Sequence, residues 1–378
     1  MSFNFDERVE RYHTDSEKWL KYRDQDIIPL WVADTDFRTA PAIQQALATR
    51  VAQGVFGYND DQHKLAKATA QWVKKQYDWT IDPDWVVPLS GIKPIFSLLQ
   101  ECLLSAEQGS VCHTPIYPPF TQSASNAQRA QRLIPYPLLD EPDFLFASLP
   151  ALTPQERLLF ICNPHNPGGK SYSRKALSLL ADYAEHYDLW VCSDEIHADL
   201  LLEPDRRHIP FASLSASSAQ RSITLLSAAK AFNLAGLGCA VAIVPNHRLR
   251  ERIRRAVAQR MAVPNTLGLV ATCAAWQQSE AWLIAQRHYL RENRDHLAAS
   301  LQQLPALRMV VPDAGFLAWI DASGLQQADP HRWLEQHGLG LTAGAAFGDP
   351  QAVRLNFGCC RALLDEALTR LHGAVEQT

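Results

Sequence analysis

The feature that most restricts this chain is a series of short apolar runs in which polar residues do not alternate: 110–113, 157–162, 189–193, 222–226 and 239–244. A strand with one wet face alternates, whereas a strand covered on both faces does not. Helical stretches or long connections separate most of these runs, so they predict a parallel sheet sandwiched between helices, an α/β architecture. One such helix follows Gly91, with Ile92, Ile95, Phe96, Leu99 and Leu103 on one face. Thr39 before Pro41 reads as a cap with proline in the first turn. Ile43, Ala46, Leu47 and Val51 continue that helix until residues 54–58 break it, and residues 63–76 form another.

At 378 residues the chain exceeds what one hydrophobic core usually holds. Its character changes near residue 265, where long helical segments run to about 303. The strand-like runs 309–311, 316–320 and 353–357 and a closing helix follow. The expected division is a large domain over 39–265 and a smaller α+β domain made of 1–38 and 266–378.

Composition removes several function classes. Lys+Arg total 36 against 40 for Asp+Glu, a net charge of -4, so no global field draws nucleic acid or an anionic membrane. The basic run 246–255 lacks interleaved aromatics and reads as a solvated helix face. No segment has the ~20 apolar residues of a membrane span, and the opening residues lack the pattern of a signal peptide. The eight cysteines form no CxxC pair and several lie in apolar runs. A reduced, cytoplasmic protein is expected. The 13 histidines and eight cysteines show no metal-ligand spacing, and no G-x-G-x-x-G opens a first βα turn.

Ligands of open parallel sheets sit beyond the carboxyl ends of the strands. There the chain carries Ser90-Gly91-Ile92, Asn163-Pro164-His165-Asn166-Pro167-Gly168-Gly169, Ser193-Asp194-Glu195-Ile196-His197 and Ser227-Ala228-Ala229-Lys230. Taken singly, each has an ordinary reading: a loop lysine, a capping Asp, a capped helix start, a pair of turns. Together they match the needs of pyridoxal phosphate. That cofactor takes a lysine for its aldehyde and a carboxylate for its ring nitrogen. It also takes helix-start amides for its phosphate, an aromatic face and a donor to its ring hydroxyl. Lys230, Asp194, Ser90-Gly91-Ile92, Tyr117 and Asn166 answer these needs in turn.

At these residues the sequence resembles the fold-type I pyridoxal-phosphate enzymes of the class I/II aminotransferase superfamily. More narrowly it is similar to the MalY/PatB group of cystathionine β-lyases and C–S lyases. The likeness runs nearly end to end. It includes Ile28-Pro29-Leu30-Trp31-Val32-Ala33-Asp34-Thr35-Asp36-Phe37, Val55-Phe56-Gly57-Tyr58, Pro115-Ile116-Tyr117-Pro118-Pro119-Phe120 and Lys230-Ala231-Phe232-Asn233-Leu234-Ala235-Gly236-Leu237.

The resemblance implies a mostly parallel seven-stranded sheet in the large domain and a homodimer with shared active sites. It makes Lys230 the Schiff-base lysine and proton shuttle, Asp194 the partner of the ring nitrogen and Asn166 a donor to the ring hydroxyl and a substrate contact. His197 stands where many aminotransferases have tyrosine. Tyr117 would stack on the ring, Tyr58 would reach the neighbouring subunit's phosphate, and Ser227 with Gly91 and Ile92 would complete the cradle. Tyr117 or Tyr58 would protonate the leaving sulfur.

Arg354 and Ala33 are the expected substrate contacts. By pattern alone Arg354 is equally an exposed strand arginine, whereas as a ligand its fork binds an α-carboxylate. The sequence departs from the family pattern at Thr35, Ser90, Lys93, Ala228, Ala229, Ala231 and Gly238, none of which is a cofactor-chemistry group. The expected activity is β-elimination from a cysteine S-conjugate, cystathionine being the default and a bulkier thioether or sulfoxide the variant. Transamination uses the same first steps, and a non-enzymatic binder on the same fold is the alternative of a different class.

Overall fold

The structure is a computed structural model that describes residues 3–60, 62–144, 146 and 149–378. Residues 1 and 2 of the expected small domain lie outside this range. The chain opens with a short helix α1 (Glu17–Leu20), strand β1 (Ile28–Pro29), and helices α2 (Pro41–Ala52) and α3 (Gln62–Tyr77). Thr39 does not cap α2. Ala40 is the cap residue, and the Thr39 hydroxyl donates instead to the Phe232 carbonyl at 2.7 Å, tethering the helix entrance to a distant loop.

Strands and helices then alternate: β2 (Val86–Leu89), α4 (Lys93–Leu103), β3 (Gly109–Thr114), α5 (Pro118–Asn126), β4 (Ala130–Pro135), β5 (Glu156–Cys162), α6 (Arg174–His186), β6 (Trp190–Asp194), α7 (Ala216–Arg221), β7 (Ser222–Leu226), β8 (Ala240–Ile243) and α8 (His247–Arg260). They build one seven-stranded sheet in the order β2-β8-β7-β6-β5-β3-β4.

The absence of alternation in the strand runs has a direct cause. Leu158 and Phe160 of β5 face a core with Phe96 and Leu99 of α4 and Ile253 of α8. Leu159 and Ile161 face the opposite core with Leu177 and Leu180 of α6. Both pleat faces are covered, so both parities are apolar. The edge strand β4 has no fully buried position, which is why no apolar run announced it.

One expectation is corrected. The 239–244 run does not join a parallel strand, because β8 is antiparallel to both β2 and β7. The connection from β7 contains only a 3₁₀ turn, Ala235–Leu237, in place of a crossover helix, so the chain returns in the opposite direction. The other four strand pairings are parallel.

Two helices, α9 (Thr266–Gln278) and α10 (Glu280–Leu301), lead to β9 (Arg308–Val310), β10 (Leu317–Asp321), α11 (Pro330–Gln336), β11 (Leu339–Gly340), β12 (Thr342–Ala343), β13 (Ala352–Asn356) and α12 (Arg361–Glu376). The second sheet is antiparallel, in the order β12-β13-β10-β9. β1 pairs with β11, which fastens the N-terminal head to this smaller unit. Among the described residues no helix is long and apolar enough to cross a membrane.

Candidate active site

The carboxyl ends of β5, β6 and β7 lie side by side, and each delivers a polar group. Register pairs Cys162 with Asp194 and Asp194 with Leu225, so the groups that follow these strands emerge along one edge. Strand β6 runs through Ser193 and Asp194, one step further than its apolar run, which seats the Asp194 carboxylate inside the sheet edge.

Asp194 is buried, and the Ile196 N–H donates to it at 3.2 Å. Burial pushes its carboxyl up to about 7, against the pull of that N–H and of Lys230. Lys230 follows β7, and its Nζ donates to the Ala33 carbonyl at 2.7 Å. Burial and the nearby Arg354 push its ammonium down to about 8, while Asp34 and Asp194 resist. A buried acid and a half-buried amine, each displaced toward neutrality, single out this edge as the candidate chemical centre.

Arg354 comes from β13 of the smaller sheet and is 5% exposed, which excludes the surface-arginine reading. Its Nη1 donates to Asn166 Oδ1 at 2.9 Å. Nη2 donates to the Trp31 carbonyl at 3.1 Å and to Thr342 Oγ1 at 3.3 Å. The Phe347 ring lies 4.9 Å from the guanidinium carbon. Nε has no partner among the described residues, and burial lowers the group to about 10. The Asn166 carbonyl is thus occupied, which leaves its amide N–H groups to face a ligand.

His197 follows β6 at the start of the 3₁₀ turn Ala198–Leu200, and neither ring nitrogen has a partner among the described residues. Burial, with Lys230 and Arg354 nearby, lowers it to about 3, so the ring is neutral. Gly315, with φ +81°, runs beside it. Tyr117 precedes α5, half-buried, within the electrostatic reach of Asp194 and Arg354; burial raises its phenol. Ser227 donates its hydroxyl to the Cys239 carbonyl at 2.7 Å and accepts from the Ala229 N–H at 3.1 Å.

At the start of α4, Ile92 is the cap residue and no side chain caps the helix. A Cβ on Gly91 would meet nothing within 4 Å; Pro94 has no N–H and the Ile95 N–H donates to the Ile92 carbonyl at 3.0 Å, so the amides of Gly91, Ile92 and Lys93 are the ones that suit an anion. Tyr58 is fully exposed on a segment with exposed Val55 and Phe56, and it joins no group of its own chain's site.

Several site features carried no recognised signal in the sequence. Asn356 donates to the carbonyls of Val32 and Asp34, both at 2.6 Å, and Asn233 to those of Thr35 and Phe37 at 2.9 and 3.0 Å. These amides hold the 31–37 strap that presents the Ala33 carbonyl to Lys230. Both asparagines lie in strings already singled out, beside Arg354 and Lys230. Thr342 and Phe347 lay in no such string. The loop after β5 reaches the smaller unit through Gly169, whose carbonyl accepts from the Asp313 and Ala314 N–H groups. Its φ is +65° and a Cβ there would run into Pro312, so glycine is required.

Pyridoxal phosphate fits this donor set. A protonated ring nitrogen supplies the counter-cation that Asp194 lacks, the partnerless His197 and the Asn166 amide suit a ring oxygen, and the open amides of α4 suit a phosphate.

The chain matches the family described as aminotransferase class I and II over residues 25–371. It is 33% identical to the cystathionine beta-lyase PatB of Bacillus subtilis (strain 168), covering 98% of this chain and 100% of PatB. Among solved structures it is similar to the crystal structure of OvoB, at 46% identity and TM-score 0.94, covering 100% of both chains. The PLP-bound C-S lyase from Staphylococcus hominis shares 26% identity and a TM-score of 0.88, again covering 100% of both chains.

Proposed function

Because the chain belongs to the class I and II aminotransferase family, we propose that it is a pyridoxal-phosphate-dependent carbon–sulfur β-lyase. It cleaves a cysteine S-conjugate of the cystathionine type to a thiol, pyruvate and ammonia. The observation that carries the reading is the meeting of Lys230, Asp194 and the Arg354–Asn166 pair at one strand edge.

Pyridoxal phosphate, when bound, supplies a ring that accepts the electron pair left at the substrate Cα. Every other task falls to the chain. Asp194 keeps the ring nitrogen protonated. Asn166 and His197 would donate to the ring hydroxyl, Tyr117 would face the ring, and Gly91, Ile92 and Ser227 would hold the phosphate once the Ser227 hydroxyl turned from the Cys239 carbonyl. Arg354 receives the substrate α-carboxylate, which fixes the orientation of Cα–H. Lys230 would hold the cofactor through its aldehyde. Its amine, depressed to about 8 in the free chain, would serve as the general base for the substrate Cα proton. Loss of the Cβ–S bond releases the thiol, protonated by Tyr117 or by Tyr58 of a second copy, and water converts the remainder to pyruvate and ammonia.

Tyr58 is exposed beside Val55 and Phe56, an apolar projection that a partner would cover. A homodimer in which Tyr58 completes the partner's phosphate site gives this segment its use. Eight free cysteines favour the reducing cytoplasm. The domain division at residues 38/39 and 265/266 is retained as part of this reading.

The test is incubation of the purified protein with L-cystathionine. Pyruvate and ammonia in equal amounts support the lyase. A requirement for a keto-acid acceptor makes the protein an aminotransferase, and no chromophore with added pyridoxal phosphate rejects the cofactor itself.

A further inference from the structure

Directly behind Asp194 lies a second buried carboxylate, Glu195, that the mechanism above does not use. Its side chain and that of His208 are fully enclosed. Glu195 Oε1 accepts from the Ser193 hydroxyl at 2.7 Å and from the Phe211 N–H at 3.0 Å. Its Oε2 meets His208 Nε2 at 2.7 Å. Three hydrogen-bonding partners thus converge on one enclosed carboxyl group. Two consecutive buried carboxylates, Asp194 and Glu195, repel each other when both are ionised, and a cation beside one of them offsets that repulsion. Glu195 indeed raises the Asp194 carboxyl.

We propose that His208 is that cation: a positioning residue whose positive charge balances Glu195 and so leaves Asp194 ionised for the cofactor's ring nitrogen. This rests on the cofactor assignment made above. Acids and bases both surround the imidazole, and burial raises the Asp199 carboxyl toward its neutral form. Asp199 is a second acid within its electrostatic reach, and accepts from Trp72 Nε1 and the Tyr77 hydroxyl. The Tyr77 ring meets the imidazole edge-on at 5.2 Å, and burial keeps its phenol neutral. Among the described residues His208 Nδ1 has neither a donor nor an acceptor beside it. Opposing charges come from Arg287 of α10, whose Nε donates to the Asp199 carbonyl, and from Lys75, Arg206 and Arg207 lining the same cleft; Glu280 lines it too. Of these, Lys75 is paired with Glu280 and Arg206 with Asp313. Lys230 acts on Asp194 from the other side.

Two variants act on Asp194 in opposite directions. Glu195→Gln removes the neighbouring negative charge. His208→Gln keeps a donor toward Glu195 but removes the positive one. The affinity of each apo-protein for pyridoxal phosphate is measured by absorbance titration across pH, and affinity falls where Asp194 takes up a proton. The expected midpoint lies about one pH unit lower in Glu195→Gln and about one unit higher in His208→Gln than in the wild type. Titrations of Lys230 and of the phosphate are common to all three proteins and cancel. Midpoints that move together, or stay fixed while only melting temperature drops, overturn the proposal.

Should His208→Gln fail to fold, neutron diffraction of wild-type crystals decides. Deuterium on both His208 nitrogens and none on Glu195 supports the proposal, and a singly protonated ring overturns it. That readout needs no bound cofactor. A wild type that never binds pyridoxal phosphate therefore defeats the cofactor assignment separately.

Discussion

Arg354 Nη1 donates to Asn166 Oδ1 at 2.9 Å, joining residues 188 positions apart. One comes from the smaller sheet and the other from the loop that leaves the large one. The contact locks the Asn166 amide orientation and sets a guanidinium at the mouth of the Lys230 site. A single pair therefore couples cofactor geometry to substrate recognition.

Arg354→Lys keeps the charge and loses the fork. The Michaelis constant for L-cystathionine is expected to rise about 10- to 100-fold, ~1.4–2.7 kcal/mol, with a smaller fall in kcat. Steady-state kinetics checks this, and the retained chromophore shows that the cofactor site survives.

The Lys230 amine, held at about 8 by burial and Arg354, is neutral above that pH and reactive as a nucleophile. The rate of chromophore formation from apo-protein and pyridoxal phosphate should rise with pH and level off above about 8. Borohydride reduction followed by peptide mass mapping should place the label on Lys230, and Lys230→Ala should remove it.

Asp194 pulls on stability in a known direction. Its folded value, about 7, lies above the ~3.9 of an unfolded chain, so between these values the folded apo-protein holds a proton that the unfolded chain has released. Its stabilising contribution is complete below about pH 4 and is lost as pH rises through 7. Asp194→Asn should stabilise the apo-protein at pH 8 by about 1–4 kcal/mol. The same change should weaken pyridoxal phosphate binding at least about tenfold, the loss of one charged contact. Denaturant melts at pH 5 and 8 separate the two effects.

Lys18 has no exposed side-chain surface, and its Nζ donates to Asp36 Oδ2 at 2.7 Å; Arg11 holds Asp36 and Asp34 from the other side. Lys18→Met leaves a buried acid short of a cation and should cost about 2–4 kcal/mol by urea melts. Because Asp34 and Asp36 lie in the strap carrying the Ala33 carbonyl, kcat should drop as well.

If Tyr58 serves the neighbouring subunit, two inactive proteins should rescue each other. Lys230→Ala and Tyr58→Ala, mixed and allowed to exchange subunits, should regain about a quarter of the wild-type sites, because random pairing makes half the dimers mixed with one intact site each. No regained lyase activity alongside confirmed exchange defeats the shared site.

Much of the large sheet was legible because its cause is local: β5, β6 and β7 are buried at both parities over most of their length, so their runs are largely apolar. β4 was not legible, since an edge strand buries no position fully, and the direction of β8 was misread because an apolar run carries no sign of orientation. Lys230, Asp194 and Asn166 stood out as polar residues closing apolar strands. Thr342 and His208 did not, because a threonine on a short strand and a histidine in a loop look like any others until their partners are known.

The sequence by itself determined which segments had to be covered on both faces and which polar groups would leave the sheet together, because burial and periodicity act over a few residues. Tertiary packing alone decided that Arg354 would be buried against Asn166, that the Ala33 carbonyl would accept from Lys230, and that His208 would meet Glu195. Those contacts arise where separately folded layers close on one another. A hydrogen bond between such layers depends on ångström-scale placement that no local pattern of residues encodes.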